Sequence, residues 1–460
     1  MDPVSDHAST VSERNPLVTF SIPTAWFRTI LRALRRAPNS VATGRLGVNL
    51  DESGASELLA RSFQVVSERE AVRQRRQRGP RFELGFVPQR ITQPDAWESA
   101  GWAIRFEQDS SSAEVCLVHL GTGDEGGFFT GTYVSGDRMV PVRNLRVVGA
   151  GMARFAAVDD VAPCSPPLPE EAERWSRLIG ALGGTAVWQR LTDLSIAIVG
   201  AGRTGSVVAS SLARLGCRTV TLIDPDRLEL PNVDAMDLVM PADVGRFKVD
   251  VLAERMNELA SRVHVLPLAE SVLSEAAHKA LKTVQVIVSA VDDQAARLAT
   301  GSLATAYLKP WLDLGTAVFR EGNAAGVLLG QGGHPLIQVG ADIRLVLPGD
   351  SCVLCWGGVA NLSQALREWG HPRAPRDWRR ERAGSLRSLN MLAVATGLRW
   401  LEEMVMGRLT GSVWQRVEIN DQGLAEWRTM VPRRDPACLL CAQVGSGDGM
   451  AAPQQGNPPP

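Results

Sequence analysis

From Leu194 to Asp226 the chain reads LSIAIVGAGRTGSVVASSLARLGCRTVTLIDPD, and its apolar positions change period twice. Ile196, Ile198 and Val199 lie in an apolar run of the kind that forms a strand buried on both faces. Val207, Val208, Leu212 and Leu215 then recur at helical spacing and stop at Gly216. A second apolar run, Thr219 to Ile223, ends on Asp224-Pro225-Asp226. The pattern predicts a βαβ unit. It continues as a helix from Gly245 to Ala260, a strand at 263–268, a helix from Ser271 to Lys282 and a strand at 284–290. A helix from Gln294 to Tyr307 and a strand from Trp311 to Leu314 follow. Such alternation implies an α/β, Rossmann-like, doubly wound and mostly parallel sheet with right-handed crossovers. The Gly-rich stretch 321–340 and the run at 343–349 read as antiparallel additions.

Upstream the pattern is different. Residues 1–40 read as disordered apart from a short helix, Pro23 to Arg36, with Trp26, Phe27, Ile30, Leu31 and Leu34 on one side and arginines on the other. Packing on the body of the protein explains that stripe better than a membrane surface does. Ser56 to Arg78 reads as a charged helical stretch with a solvated face. Short β-like segments at 102–108, 114–121 and 139–158 complete a small α+β domain spanning 41–161. A proline-rich linker at 162–170 joins it to the α/β domain, which runs from 171 to 441. The Gly-, Pro- and Gln-rich residues 442–460 read as a disordered tail.

Composition narrows the function. Lys and Arg number 49 against 50 Asp and Glu, for a formal net charge of −1, so no nucleic-acid or anionic-membrane partner is implied. No run of eighteen apolar residues and no signal-peptide pattern is present, which makes a cytoplasmic protein the expectation. The only lysines are Lys248, Lys279, Lys282 and Lys309, so a lysine at a motif position carries weight. Four of the seven cysteines form two C-x-x-C pairs, Cys352/Cys355 and Cys438/Cys441, which in this compartment read as metal ligands rather than a disulfide framework. In the upstream domain His119 and Cys116 stand without a catalytic constellation around them.

The turn Gly200-Ala201-Gly202-Arg203-Thr204-Gly205 joins the first strand to its helix, where the dinucleotide fingerprint belongs. Glycines there let a phosphate approach the backbone, and helix-start amides carry partial positive charge toward it. Asp224 ends the second strand, at the spacing of an acid that reaches ribose hydroxyls. The glycine motif alone would also admit a nicotinamide-dependent oxidoreductase.

Seven motifs in order set that alternative aside: RWSRL (174–178), VGAGRTGS (199–206), IDPDRLELPN (223–232), DVGRFK (243–248), SAVDDQAAR (289–297), LPGDSCVLC (347–355) and DPACLLC (435–441). From Glu171 to Cys441 the chain resembles the ThiF/MoeB/ubiquitin-activating superfamily of ATP-dependent adenylyltransferases. The resemblance implies activation of the C-terminal carboxylate of a ubiquitin-like or sulfur-carrier protein as an acyl-adenylate. It implies that Gly200, Gly202 and Gly205 floor the ATP site and that Asp224 holds the ribose, with Asp226 and Asn232 in the same loop. It assigns Lys248 to the phosphates, Asp292 to magnesium and Asp293 to the same segment. Arg177 matches an arginine that reaches the neighbouring subunit's phosphates, which implies a homodimer. Cys352, Cys355, Cys438 and Cys441 match a structural zinc site, closed by four thiolates and therefore not catalytic.

The chain departs from the family in three places. Ala235 stands where relatives often carry an arginine, leaving Arg203, Arg227 or Arg246 as substitutes or a partner-binding module with reduced catalysis as the alternative. No cysteine lies between the two C-x-x-C pairs, so adenylation without an enzyme thioester is the expected chemistry. Residues 1–165 have no counterpart in the minimal enzymes, and His119 has no second histidine to build a metallopeptidase; a decayed copy of one or an unrelated partner-binding module are both open, and a recognition domain is the expectation.

Overall fold

The computed structural model describes residues 18–37, 40–51, 54–67, 69–71, 81–86, 115–123, 126–135, 138–156, 168–260, 262–320, 337–370, 386–420, 422–432 and 435–450. The expected strand at 102–108 and the linker up to residue 167 lie outside them.

Two eight-stranded sheets organise the chain. The first contains β1 (Val18–Pro23), β2 (Ser40–Asp51), β3 (Gly54–Ser67), β4 (Arg81–Phe86), β5 (Val115–Gly123), β6 (Gly126–Ser135), β7 (Arg138–Val148) and β8 (Ala153–Ala156). Its order is β1-β3-β2-β4-β5-β6-β7-β8, and β1 also pairs in parallel with β7, so the sheet closes on itself. Closure removes the exposed edges that an open sheet of this size would present. The helix Thr24–Arg36 seals it with Phe27, Ile30 and Leu34, spaced along one face.

Three expectations for this region and the tail need correction. The expected short helix is present as Thr24–Arg36, but Val18–Pro23, expected to be disordered, is β1 and belongs to the same sheet. Ser56–Ser67, expected as charged helix, is strand: β3 is hydrogen-bonded to β2 along its length. The absence of clean alternation has a cause. Leu58 and Ala60 face the first core while Leu59 packs into the core of the second domain, so both faces of β3 are apolar there. The third correction concerns residues 442–450, expected to be disordered. They are wedged between the sheets, with Gly445 and Gly447 donating to the carbonyls of Thr305 (3.2 Å) and Ala306 (3.0 Å) and Asp448 donating to that of Val48 (2.8 Å).

Glycine makes that wedge possible. Gly445 and Gly447 have φ of +64° and +56°, and a Cβ on Gly447 would lie 2.2 Å from the Val48 carbonyl oxygen. A Cβ on Gly47, from the opposite side, would lie 1.9 Å from the Gly445 oxygen. The composition that suggested disorder is what allows three backbones to approach closely.

The second sheet contains β9 (Ser195–Val199), β10 (Thr219–Ile223), β11 (His264–Leu268), β12 (Val286–Ser289), β13 (Trp311–Arg320), β14 (Ile337–Val346), β15 (Val413–Ile419) and β16 (Ala425–Thr429). Its order is β11-β10-β9-β12-β13-β14-β15-β16. The first five are parallel and the last three antiparallel, the mixed doubly wound architecture expected. One face is covered by the helices Arg203–Leu215, Lys248–Leu259 and Arg387–Val405, the other by Glu275–Thr283 and Gln294–Ala306. The order reverses at β9, between β10 and β12, and there the ends of neighbouring strands leave a crevice.

The closed sheet docks at the other end of these strands. Asn49 donates to the Lys282 carbonyl at 3.3 Å, and Lys282 to that of Leu50 at 3.0 Å, just before β12 begins. Lys309, which precedes β13, pairs with Glu57 at 3.5 Å. The crevice and the N-terminal domain therefore occupy opposite ends of the second sheet.

Candidate nucleotide site and cysteine cluster

The glycine turn leaves β9 at the crevice. Gly200 has φ of +90°, and a Cβ there would lie 2.7 Å from the Ala290 carbonyl oxygen, beyond the end of β12. At Gly205 a Cβ would lie 1.9 Å from the Gly200 oxygen, so this residue lets helix and strand pack closely. At Gly202 a Cβ would meet nothing within 4 Å. The first and third glycines thus shape the turn, while the second faces open space. No side chain caps the helix Arg203–Leu215, so its leading amides remain available to an anion.

Lys248 and the carboxylates converge beside this turn. Asp224 is buried, and its two oxygens accept from the amides of Ala201 (2.7 Å) and Asp226 (2.9 Å), which braces the turn. The Lys248 ammonium donates to Asp226 Oδ2 at 2.7 Å and lies 3.7 Å from Asp224 Oδ1. Burial works against the Lys248 charge, yet the fields of Asp224, Asp226 and Asp292 outweigh it and hold the amine above the ordinary lysine range. Burial likewise draws the Asp224 carboxyl upward, partly offset by Lys248 and the two amides. Asp292 is exposed two residues after the Ala290 carbonyl that faces Gly200.

A buried relay fixes the Asp292 segment. Arg297 donates to the Val291 carbonyl at 2.6 Å and to Asp313 Oδ1 at 3.1 Å, while Asp313 also receives Ser289 Oγ (2.7 Å) and Arg344 (2.9 Å). Asp293 caps the helix Gln294–Ala306 through the Ala295 amide at 2.9 Å. In the loop after β10, Asn232 Oδ1 accepts from the Glu229 amide at 2.8 Å. Neither Asp313 nor Arg344 stood out in the sequence, because their importance lies in partners on separate strands.

Two other expected participants sit differently. Arg177 is exposed on the helix Ser176–Leu182, and the preceding Trp175 and Arg174 anchor to the carbonyls of Arg214 (2.8 Å) and Leu259 (2.6 Å). Those anchors are helix ends preceding β10 and β11, at the end of the sheet away from the glycine turn. Ala235 is buried, and Arg387 from a distant helix donates to its carbonyl at 3.2 Å and to Asp237 at 2.5 Å. Of the arginines considered as substitutes for the one missing at 235, Arg203 bonds the Pro231 carbonyl at 2.9 Å. Arg227 stacks on Phe247, and Arg246 pairs with Asp243 and Glu254.

The four paired cysteines meet. Their sulfurs all lie within 4.8 Å of one another, with Cys352–Cys438 at 3.4 Å, Cys355–Cys441 at 3.5 Å and Cys352–Cys355 at 3.8 Å. Zinc–thiolate bonds of about 2.3 Å in a tetrahedron place sulfurs roughly 3.8 Å apart, so the set fits a four-coordinate zinc. Cys217, by contrast, is buried, and burial pushes its thiol up to about 12.

Comparison with known proteins agrees with this domain. The ThiF family model matches residues 175–336. Ubiquitin-like modifier-activating enzyme 5 of Aedes aegypti is 28% identical over 200 residues, 40% of this chain and 46% of that protein. The adenylyltransferase and sulfurtransferase uba4 of Aspergillus clavatus is 30% identical over 146 residues, 32% of this chain and 30% of the relative. The chain thus spans less than half the length of either. Among solved structures, E. coli MccB with ATP is similar at 18% identity and a TM-score of 0.42, over 58% of this chain and 74% of that one.

Proposed function

Since residues 175–336 form a ThiF-family domain, we propose that the chain uses ATP to adenylate a carboxylate, that of the C-terminus of a ubiquitin-like or sulfur-carrier protein. The observation that carries this reading is the convergence of Lys248, Asp226 and Asp292 beside a glycine turn with an open face at Gly202. The incoming carboxylate oxygen attacks the α-phosphorus. An acyl–O–P bond forms as the bond to the bridging oxygen breaks, and pyrophosphate carries away the electron pair. Such a step needs positioning and charge neutralisation more than proton transfer.

Gly202 and the uncapped helix start take the phosphates, and Asp224 holds the ribose, with Asp226 and Asn232 in the same loop. Lys248 turns from Asp226 toward the polyphosphate, and the three surrounding carboxylates keep it protonated while it does so. Magnesium would be held by Asp292 with waters and phosphate oxygens, and supplies charge neutralisation on the departing pyrophosphate. Asp293 and Arg297 keep the Asp292 segment in place. Cys352, Cys355, Cys438 and Cys441 would hold a structural zinc, which would tie the segment after β14 to the C-terminal wedge. Adenylation without an enzyme thioester is supported by Cys217, the buried and protonated thiol of the domain outside the cysteine cluster. Arg177 cannot reach its own subunit's glycine turn from its anchored helix, so a phosphate role for it requires the partner in a homodimer.

ATP–pyrophosphate exchange with purified carrier proteins ending in Gly-Gly tests the assignment. Exchange should depend on magnesium and carrier and fall by about 10²–10³-fold in Lys248→Ala and in Asp292→Ala, the loss typical of removing one transition-state charge contact. Exchange unchanged in both variants sinks the reading. The buried Ala235 favours one alternative, a partner-binding module with little catalysis. That alternative predicts carrier binding without any exchange.

A further inference from the structure

A second site lies where the two domains meet, at the end of the sheet remote from the glycine turn. A cleft of about 510 Å³ opens between the helix Thr24–Arg36 and the segments that follow β7 and β14. Its size falls within the usual range for ligand pockets. One wall presents Arg28, Arg32 and Arg35; the other is formed by Val148–Ala150, Leu347, Pro348, Asp350 and Thr410–Gly411. No acidic residue occurs anywhere in the helix. The carboxylate that does line the cleft, Asp350, is turned to Ser412, whose amide and hydroxyl reach Oδ2 at 2.8 and 2.7 Å.

Arg28 and Arg32 have no carboxylate partner among the described residues. Arg28 reaches the Ala150 carbonyl at only 3.5 Å, and Arg32 folds back to the Arg28 carbonyl at 3.3 Å. Both are exposed. A chain of ordinary overall charge has therefore placed Arg28 and Arg32, which no carboxylate of the described residues pairs with, along one side of a concave surface. We propose that this cleft binds an extended, carboxylate-rich peptide segment of a partner protein.

Geometry favours an extended peptide over a compact anion. Four residues of helix rise about 6 Å, close to the roughly 6.7 Å between alternate side chains of an extended strand. Carboxylates at every second position of such a peptide face Arg28 and Arg32 in turn, and guanidinium–carboxylate pairs form bidentate, charge-assisted bonds. Because the cleft opens at the end of the sheet away from the nucleotide crevice, the segment held here is a tether rather than the residues that react.

The experiment needs neither ATP nor a known partner. A fluorescein-labelled hexaglutamate peptide is titrated with the full chain, with the Arg28→Glu/Arg32→Glu variant, and with hexalysine as the opposite-charge control. Saturable binding of hexaglutamate that weakens with salt and falls at least about tenfold in the variant supports the site. An unchanged melting temperature of the variant guards against unfolding. Equal affinity of the two proteins, binding of hexalysine, or full displacement of hexaglutamate by millimolar inorganic phosphate overturns it, the last by making the cleft a phosphate site. Failure here leaves pyrophosphate exchange untouched, so the two readings fail separately.

Discussion

Lys248 and Lys309 both face carboxylates, and their surroundings make them different devices. Lys248 stands at the crevice end of the second sheet, paired with the buried Asp224 and with Asp226, whose side chain is 65% exposed. Lys309 stands at the other end, fully enclosed between the domains with Glu57, which also receives Arg146, Ser21 (2.6 Å) and Asn49 (3.2 Å). At Lys248 three carboxylates surround one cation; at Glu57 two cations surround one carboxylate. In the first arrangement one of the carboxylates, Asp226, is exposed, so the pairing faces water on one side. The second is saturated, and locks the closed sheet onto the second domain.

Breaking the saturated cluster gives the largest expected effect. Glu57→Ala leaves Lys309 and Arg146 buried without their counter-charge, which should cost about 3–5 kcal/mol of stability. Exchange activity per folded molecule should persist, since the crevice lies elsewhere. Denaturant unfolding and exchange kinetics on the same samples check both halves. A variant as stable as the parent would show that the domains are held by apolar packing alone.

Next in size is the pH response. Burial pushes the Glu57 carboxyl up, but Arg146, Lys309 and the bonds from Ser21 and Asn49 outweigh it and lower it from 4.5 to about 2. A carboxyl lowered in the folded state stabilises fully above its unfolded value and loses that contribution as pH falls from about 4.5 toward 2. The loss amounts to about 3 kcal/mol, and its slope should vanish in Glu57→Ala. Lys309 has the same sign in the alkaline range. Burial lowers its amine from 10.5 to about 8, so between those values the unfolded chain binds more protons and stability should rise with pH. Unfolding curves across the acid and alkaline ranges separate the two.

The smallest effect belongs to Asp226→Asn. Its carboxylate is mostly in water, so losing the bond to Lys248 should change stability by only about 0–1 kcal/mol. If Asp226→Asn proved as destabilising as Glu57→Ala, the contrast between the two lysines would collapse.

Much of the crevice was legible because its determinants are local. A glycine turn, the helix behind it and the acid ending the next strand are contiguous, and each position is constrained by backbone sterics that one can read from residue type. The C-x-x-C pairs carried their own geometry in the same way. What escaped were contacts between distant segments. Arg387 reaches the Ala235 carbonyl across 152 positions, and no local pattern marks it. β3 read as helix because its two faces pack into two different cores, which erases the alternation that announces a half-buried strand.

By itself, then, the sequence determined the doubly wound domain, its glycine turn and the identity of the groups around it, since these follow from periodicity and from conformations only certain residues adopt. The tertiary structure alone decided where the N-terminal domain sits, which lysine is sealed between the domains and which pairs with an exposed carboxylate, and that the glycine-rich end of the chain is a wedge. Burial and counter-charge arise from segments hundreds of residues apart, and those meet only once the chain has folded.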